Sequence, residues 1–121
     1  MIGSAVFYFY YPNGTYDICY APRDNFPIVT AINFLLMEKQ QGKNLAIKLS
    51  KVNKSLEFID DIYCKADYKY VIDSSLALSI TCYADNGKVI VSEYRNYHDF
   101  INWLVCAAKT INDNHSTIME V

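Results

Sequence analysis

The sequence predicts an α+β fold: a mostly antiparallel sheet of five or six strands with two main helices packed on it, and room for a third short helix. Two hairpin-turn motifs, each flanked by apolar alternation, indicate the antiparallel strands. Two longer segments with apolar residues at helical spacing indicate the helices. We expect one domain over residues 1–111 and a loosely ordered tail over residues 112–121.

The first hairpin is predicted around the segment 11–15, Tyr-Pro-Asn-Gly-Thr. Pro12 suits the second position of a type I turn, and Gly14 suits the left-handed residue of a three-residue loop. This register pairs residues 6–11 with residues 15–20. One face then carries Val6, Tyr8, Tyr10, Tyr16, Ile18 and Tyr20, and the other carries Phe7, Phe9, Tyr11, Thr15, Asp17 and Cys19.

The second hairpin is predicted around residues 84–88, with residues 85–87 as its loop. A two-residue Asn86-Gly87 loop is the alternative, but it would place Glu93 opposite Ile80. Because the apolar face sets the register, the three-residue loop is favoured. It puts on one face Leu78, Ile80, Cys82, Ile90, Ser92 and Tyr94.

The two main helices have recognisable starts. For the first, Asp24 or Asn25 is the predicted cap, Pro27 falls in the first turn and Gly42 follows the end. Its expected inward residues are Ile28, Ala31, Ile32, Leu35 and Leu36. The other begins near Asn96, with Trp103 on its flank. Its apolar stripe is Phe100, Ile101, Leu104, Ala107, Ala108 and Ile111.

The middle of the chain gives weaker signals. Alternation at Leu45, Ile47 and Leu49 predicts a strand, and alternation at Tyr68, Tyr70 and Ile72 predicts another. Between them, residues 55–63 fit a short helix with inward residues Leu56, Ile59 and Tyr63.

Composition excludes several classes of protein. The 121 residues are 52% hydrophobic and 20% charged, which rules out wholesale disorder. Eleven Lys and Arg against 13 Asp and Glu give a net charge of −2, whereas proteins that bind the phosphate backbone usually carry a basic excess. Past Arg23, the longest uncharged stretch, residues 25–37, is shorter than the ~20 residues that span a bilayer. The apolar start lacks the basic region and cleavage site of a signal peptide. We expect a soluble cytoplasmic protein that contacts neither nucleic acid nor membrane.

Motifs for catalysis, cofactors and metals are missing from the sequence. There is no phosphate-binding glycine loop, nucleophile elbow, paired-cysteine zinc motif or calcium loop. His98 stands beside Asp99, but adjacent side chains on a helix diverge. Cys19, Cys64, Cys82 and Cys106 are expected to be reduced and mostly buried. We therefore assign no catalytic residue, cofactor or metal.

The candidate site rests on tyrosine and on acidic residues. The chain has 11 tyrosines, and tyrosine combines a large apolar contact area with a polar hydroxyl, as at protein interfaces. We select from the first hairpin Tyr8, Tyr10, Tyr16 and Tyr20. If residues 55–63 are helical, Glu57, Asp60 and Asp61 share one face. Asp67 follows nearby. These eight residues are the predicted protein-binding site.

These features predict a non-catalytic protein-binding module. The best-fitting class is an immunity or inhibitor protein that neutralises a basic, nuclease-like toxin by stoichiometric occlusion, because acidic patches attract basic partners. Three alternatives stay open. They are a phage-encoded blocker of a host defence nuclease, a homo-oligomeric structural module in which the tyrosine face pairs with its own copy, and a small enzyme using Cys82 or Cys106 with His98.

Overall fold

A computed structural model describes residues 2–60 and 65–119, without the side chains of residue 108 and residues 111–119. The fold is α+β, as predicted. Among the described residues, six strands form one sheet in the order β3-β2-β1-β4-β5-β6, in which only β1 and β4 pair in parallel. The strands are β1 (Ala5–Tyr10), β2 (Tyr16–Ala21), β3 (Glu57–Ile59), β4 (Tyr68–Ile72), β5 (Leu78–Tyr83) and β6 (Val89–Tyr94). The helices are α1 (Pro27–Glu38), α2 (Leu45–Val52) and α3 (Tyr97–Met119).

Both hairpins have the predicted registers. In the first, Val6 pairs with Tyr20 and Tyr10 with Tyr16, and Gly14 adopts a φ of 86° in the three-residue loop. In the second, Leu78 pairs with Tyr94 and Cys82 with Ile90. The backbone N–H of Ala84 donates to the Lys88 carbonyl at 2.9 Å, which closes the loop over residues 85–87. Turn motifs and the apolar alternation beside them therefore identified four of the six strands described.

The start of α1 differs from the prediction. Phe26 is the N-cap and makes no side-chain capping bond, while Pro27 is the first helical residue. Asn25 is buried instead, and its Nδ2 donates to the carbonyl oxygens of Gly3 at 3.1 Å and Arg23 at 2.8 Å. Asn25 thus ties the N-terminal segment to the entry of the helix. Gly42, with a φ of 110°, lies beyond the helix end in the connection to α2.

The predicted inward face of α1 is wrong apart from Ala31. The helix buries Thr30, Ala31, Phe34 and Met37, and it leaves exposed Ile28, Ile32, Leu35 and Leu36. Phe34 lies at the centre of an aromatic cluster, with ring centroids 6.0 to 6.4 Å from Tyr97, Phe100, Tyr70 and Phe7. These rings come from α3, β4 and β1, so the aromatic cluster joins α1 and α3 to the sheet.

The strand predicted at Tyr68, Tyr70 and Ile72 is confirmed as β4, but residues 45–59 have the reverse of the predicted elements. Residues expected as a strand form α2, whose N-cap Asn44 accepts a bond from the Ile47 N–H at 2.9 Å. As a helix, this segment places Leu45, Ala46 and Leu49 in one core cluster. In a strand, Leu45 and Ala46 would face opposite sides of the sheet. The predicted short helix is instead the edge strand β3, paired with β2. Tyr63 lies outside the described residues.

The last helix starts as predicted and runs further. Asn96 accepts the His98 N–H through its side chain at 2.9 Å, as expected of a cap. Phe100 and Ile101 are buried, Leu104 is half-buried and Trp103 is exposed. The helix continues past Ile111 to Met119, through most of the segment predicted as a loose tail.

Candidate functional site

The hairpin register places the four candidate tyrosines on one face of the sheet. Phe7, Phe9 and Cys19 point the other way, into the core shared with α1, α2 and α3. Tyr8 and Tyr10 on β1 therefore lie across from Ile18 and Tyr16 on β2, on the face opposite to the one that packs against α1, α2 and α3. We call Tyr8, Tyr10, Tyr16 and Tyr20 the tyrosine face.

The four tyrosines differ in accessibility. Tyr8 is only 6% exposed, whereas Tyr10 is 43% and Tyr16 is 58% exposed. Tyr20 is half-buried. The rings form a chain: those of Tyr8 and Tyr10 are nearly parallel with centroids 6.5 Å apart, and those of Tyr10 and Tyr16 are 5.9 Å apart. The accessible tyrosine surface is thus concentrated at the loop end of the hairpin.

A small apolar cluster supports this surface from below. Val6, Tyr8, Ile18 and Ala66 are buried together, with Tyr20, Ile59 and Val71 packed around them. The Nζ of Lys69 lies 5.2 Å from the centroid of the Tyr8 ring, within the range of a cation–π contact. Tyr8 therefore acts as a packing residue that fixes its neighbour Tyr10, rather than as a contact residue.

The acidic candidates reach the tyrosine face through the sheet and not through a helix. Glu57 on β3 pairs directly with Tyr20 on β2, and its side chain is exposed. Asp60 is exposed just beyond β3 and shares a shallow depression with Tyr16 and Asp17. The helical spacing that grouped Glu57 with Asp60 is wrong: strand pairing places Glu57 beside Tyr20, and Asp60 lies beside Tyr16 in the depression. Asp61 lies outside the described residues.

Asp67 has a structural position. Its Oδ2 accepts the backbone N–H groups of Gly3 at 2.9 Å and Ser4 at 3.1 Å, and Ser4 Oγ is 3.0 Å from the Asp67 amide. The carboxylate is half-buried. It fixes the start of β1 to the start of β4, so we remove it from the contact surface.

Asp17 is a residue that the sequence analysis missed. Its Oδ2 accepts from the Tyr11 hydroxyl at 2.8 Å and from the Asn44 Nδ2 at 3.1 Å, which attaches the hairpin to the N-terminus of α2. Burial, followed by the bond to Asp17, raises the pKa of Tyr11 above its ordinary value, so this hydroxyl stays a donor. Asp17 is thus a structural residue, although it also lines the depression that Tyr16 and Asp60 share. The sequence feature that could have identified Asp17 is an aspartate on an otherwise mostly apolar strand.

The thiols and imidazole considered for catalysis do not meet in the described part of the chain. Burial raises the pKa of the Cys19 thiol to about 12, which keeps it protonated. Cys82 is half-buried, and Cys106 is exposed, contrary to the expectation that it is buried. The ring of His98 has Glu38 Oε2 3.0 Å from its Nε2 and Asn96 Oδ1 2.5 Å from its Nδ1. Both imidazole nitrogens therefore face oxygen atoms of other residues.

Residues 2–60 and 65–119 contain neither a candidate metal-binding cluster nor a candidate membrane-spanning helix. Across these residues, His, Cys, Asp and Glu side chains nowhere gather in a group of three that could hold a metal ion. No helix in the same part of the chain combines the length and apolar character needed to cross a bilayer.

Comparison with known proteins identifies no relative: no protein-family model, curated protein or solved structure matches the chain. The proposal for function below is therefore based on the fold and on the tyrosine face.

Proposed function

We propose that the protein is a non-catalytic binding module that covers a basic partner protein with the tyrosine face and the acidic edge beside it. The observation that supports this most is the placement of tyrosines and exposed carboxylates at the β2–β3 edge: Asp60 shares a depression with the exposed Tyr16, and Glu57 pairs with Tyr20. The tyrosines of the first hairpin and the acidic residues of β3 and the segment after it are far apart in the sequence. Together they offer, on one surface, aromatic side chains that a partner can bury and negative charge that complements a basic partner.

The rings are suited to anchoring a partner. Tyrosine gives a large contact area for the loss of few rotatable bonds, and it is enriched among residues that dominate binding energy. The contact of Tyr10 with both Tyr8 and Tyr16 limits ring motion before a partner arrives. Such preorganisation lowers the entropy cost of association.

The carboxylates are suited to steering. Exposed acidic groups at the rim of an interface accelerate association with a basic partner and select against acidic ones. Glu57 and Asp60 are exposed at the β2–β3 edge. Proteins that attack nucleic acid carry basic active surfaces. The class we propose is accordingly an immunity or inhibitor protein that occludes a basic, nuclease-like toxin in a one-to-one complex.

The test starts from co-expression of the protein with the products of its neighbouring genes, followed by size-exclusion chromatography with mass detection. We expect a complex that contains one basic partner protein for each copy of this chain. Tyr16→Ala should weaken this complex by about tenfold or more, as for a central aromatic anchor. Tyr83→Ala is the matched control, since Tyr83 is also exposed but lies near the other end of the sheet.

The charge contribution is tested by kinetics. The double variant Glu57→Lys, Asp60→Lys should slow association at low salt and reduce its salt dependence, whereas Asp85→Lys at the distant second loop should change both less. Far-UV circular dichroism of every variant checks that the fold is kept. Failure to form any complex with a neighbouring product, or unchanged binding in the Tyr16 and charge variants, would refute the proposal.

A further inference from the structure

The sheet ends in an apolar edge strand. β6 is the last strand in the order, and in residues 2–60 and 65–119 it pairs with β5 alone. Val89, Ile90 and Val91 are 55%, 47% and 55% exposed. The opposite edge, β3, is only three residues long, which is a common way to protect a sheet edge. β6 has six residues, and its first four carry neither charge nor proline.

The ladder fixes which groups of β6 point outward. The Tyr83 N–H donates to the Asp67 carbonyl at 2.8 Å, so the odd-numbered residues of β5 face β4. The even-numbered residues face β6, as the Ala84–Lys88 bond confirms. In an antiparallel ladder, Ile90 opposite Cys82 is then a hydrogen-bonded pair. The backbone N–H and C=O groups of Val89, Val91 and Glu93 consequently point away from the sheet.

We propose that a second copy of this chain adds to the sheet by antiparallel pairing of β6 with β6, with the twofold axis at Ile90. Only outward-pointing residues can bond across the new ladder, so its hydrogen-bonded pairs must join odd-numbered positions to odd-numbered positions. This requirement keeps the helix faces of the two copies on the same side. It also reduces the allowed registers to a few, two residues apart.

Side-chain matching selects one of these registers. With the axis at Ile90, the two Ile90 side chains face each other and each Val89 faces Val91 of the second copy. An axis at Val91 would set Val89 against Glu93 and Ile90 against Ser92. An axis at Val89 would bring Glu93 opposite Asp85, which are like charges. The register at Ile90 is thus the one that pairs apolar residues with each other at all three positions.

A groove beside β6 extends the same surface. It has a volume of about 290 Å³ and lies between α3 and strands β5 and β6. Ile90 and the exposed Trp103 line it together with Tyr94 and Phe100. Ile90 of the second copy would lie beside this groove. A strand pair with one such groove on each side is small for an interface, so the dimer is expected to be weak and concentration-dependent.

The oligomeric state gives the first test. Sedimentation equilibrium of the full chain should show a reversible dimer of twice 13.9 kDa. Val91→Lys places a charge against Val89 of the second copy, twice per interface, and should weaken the dimer at least about tenfold. Ile28→Lys, at an equally exposed apolar position on α1, should leave it unchanged. A monomer at every concentration, or a dimer that Val91→Lys does not weaken, would overturn the proposal.

The register gives the second test. In a background with Cys64→Ser, Cys82→Ala and Cys106→Ser, Ile90→Cys should form a disulfide between copies, because facing non-hydrogen-bonded residues lie about 4.5 Å apart at Cα. Ser92→Cys should not, since the two Ser92 positions would be about 14 Å apart along the strands. Cross-linking at Ser92 and not at Ile90 would refute this register. Circular dichroism shows that each variant is folded before oxidation.

Discussion

Replacement of Phe34 by alanine tests the arrangement of α1 on the sheet. Phe34 is fully buried at 0% exposure and is in ring contact with Phe7, Tyr70, Tyr97 and Phe100. Removal of a buried phenylalanine side chain costs about 3–5 kcal/mol of unfolding free energy. The loss should lie near the upper end, because edge-to-face ring pairs add stability beyond area burial. For a chain of this length, this corresponds to a melting temperature lower by about 12–20 °C.

The assay is urea unfolding followed by far-UV circular dichroism, with Ile32→Ala as the control. Ile32 lies on the same helix but is 52% exposed. Its truncation should change the unfolding free energy by less than about 1 kcal/mol, partly because alanine is the better helix former. If Phe34→Ala leaves too little folded protein, Phe34→Leu should still cost about 1.5 kcal/mol. Equal losses at Phe34 and Ile32 would show that α1 does not bury the face seen in the structure.

Two further predictions concern buried polar groups. Asp67→Ala should cost about 1.5–3 kcal/mol, since two backbone N–H groups lose a charged acceptor. Hydrogen exchange at Gly3 and Ser4 should accelerate, and unchanged exchange would contradict the role given to Asp67. Burial raises the pKa of Tyr70 above the ordinary 10.0, so its contribution to stability is complete below pH 10 and is lost as pH rises further. Tyr70→Phe should therefore flatten the fall in the urea midpoint above about pH 10. An unaltered slope in Tyr70→Phe would contradict this prediction.

The sequence predicted those parts of the fold that depend on local chemistry. Gly14 and Gly87 occupy left-handed loop positions, where few other residues fit, and each loop length fixed a hairpin register. The inward face of α1 could not be predicted in this way. The helix has apolar residues nearly all round, so periodicity alone cannot choose between the stripe with Ile32 and the stripe with Phe34. The choice is made by the aromatic residues of other elements.

The errors in the middle of the chain have a related cause. Five residues alternating from Leu45 to Leu49 fit a strand as well as a short helix. Asn44 was the signal that could have decided for the helix, since its side chain caps α2. β3 carries no comparable local signal. It is a strand because β2 has a free edge for it, and this pairing joins Tyr20 to Glu57 across a long stretch of sequence.

The candidate site was predictable to the same extent. The hairpin register was enough to place four tyrosines on one face, but not to distinguish the buried Tyr8 from the exposed Tyr16. That difference depends on Ala66 and Lys69, which come from the connection to β4 and from β4 itself. The role of Asp67 was equally hidden, because it binds backbone groups that any residue could supply.

The two proposed surfaces are separated widely enough to act independently. β2 and β6 are four strand spacings apart in the sheet, which is about 19 Å. A dimer joined through β6 would carry its two tyrosine faces toward opposite ends of a continuous sheet, so each copy could bind one partner in a two-to-two complex. Val91→Lys should then halve the mass of the complex while each chain keeps its affinity for the partner. Tyr16→Ala should do the converse, weakening the partner complex while the dimer persists. A single variant that abolished both associations without unfolding the chain would show that one surface serves both.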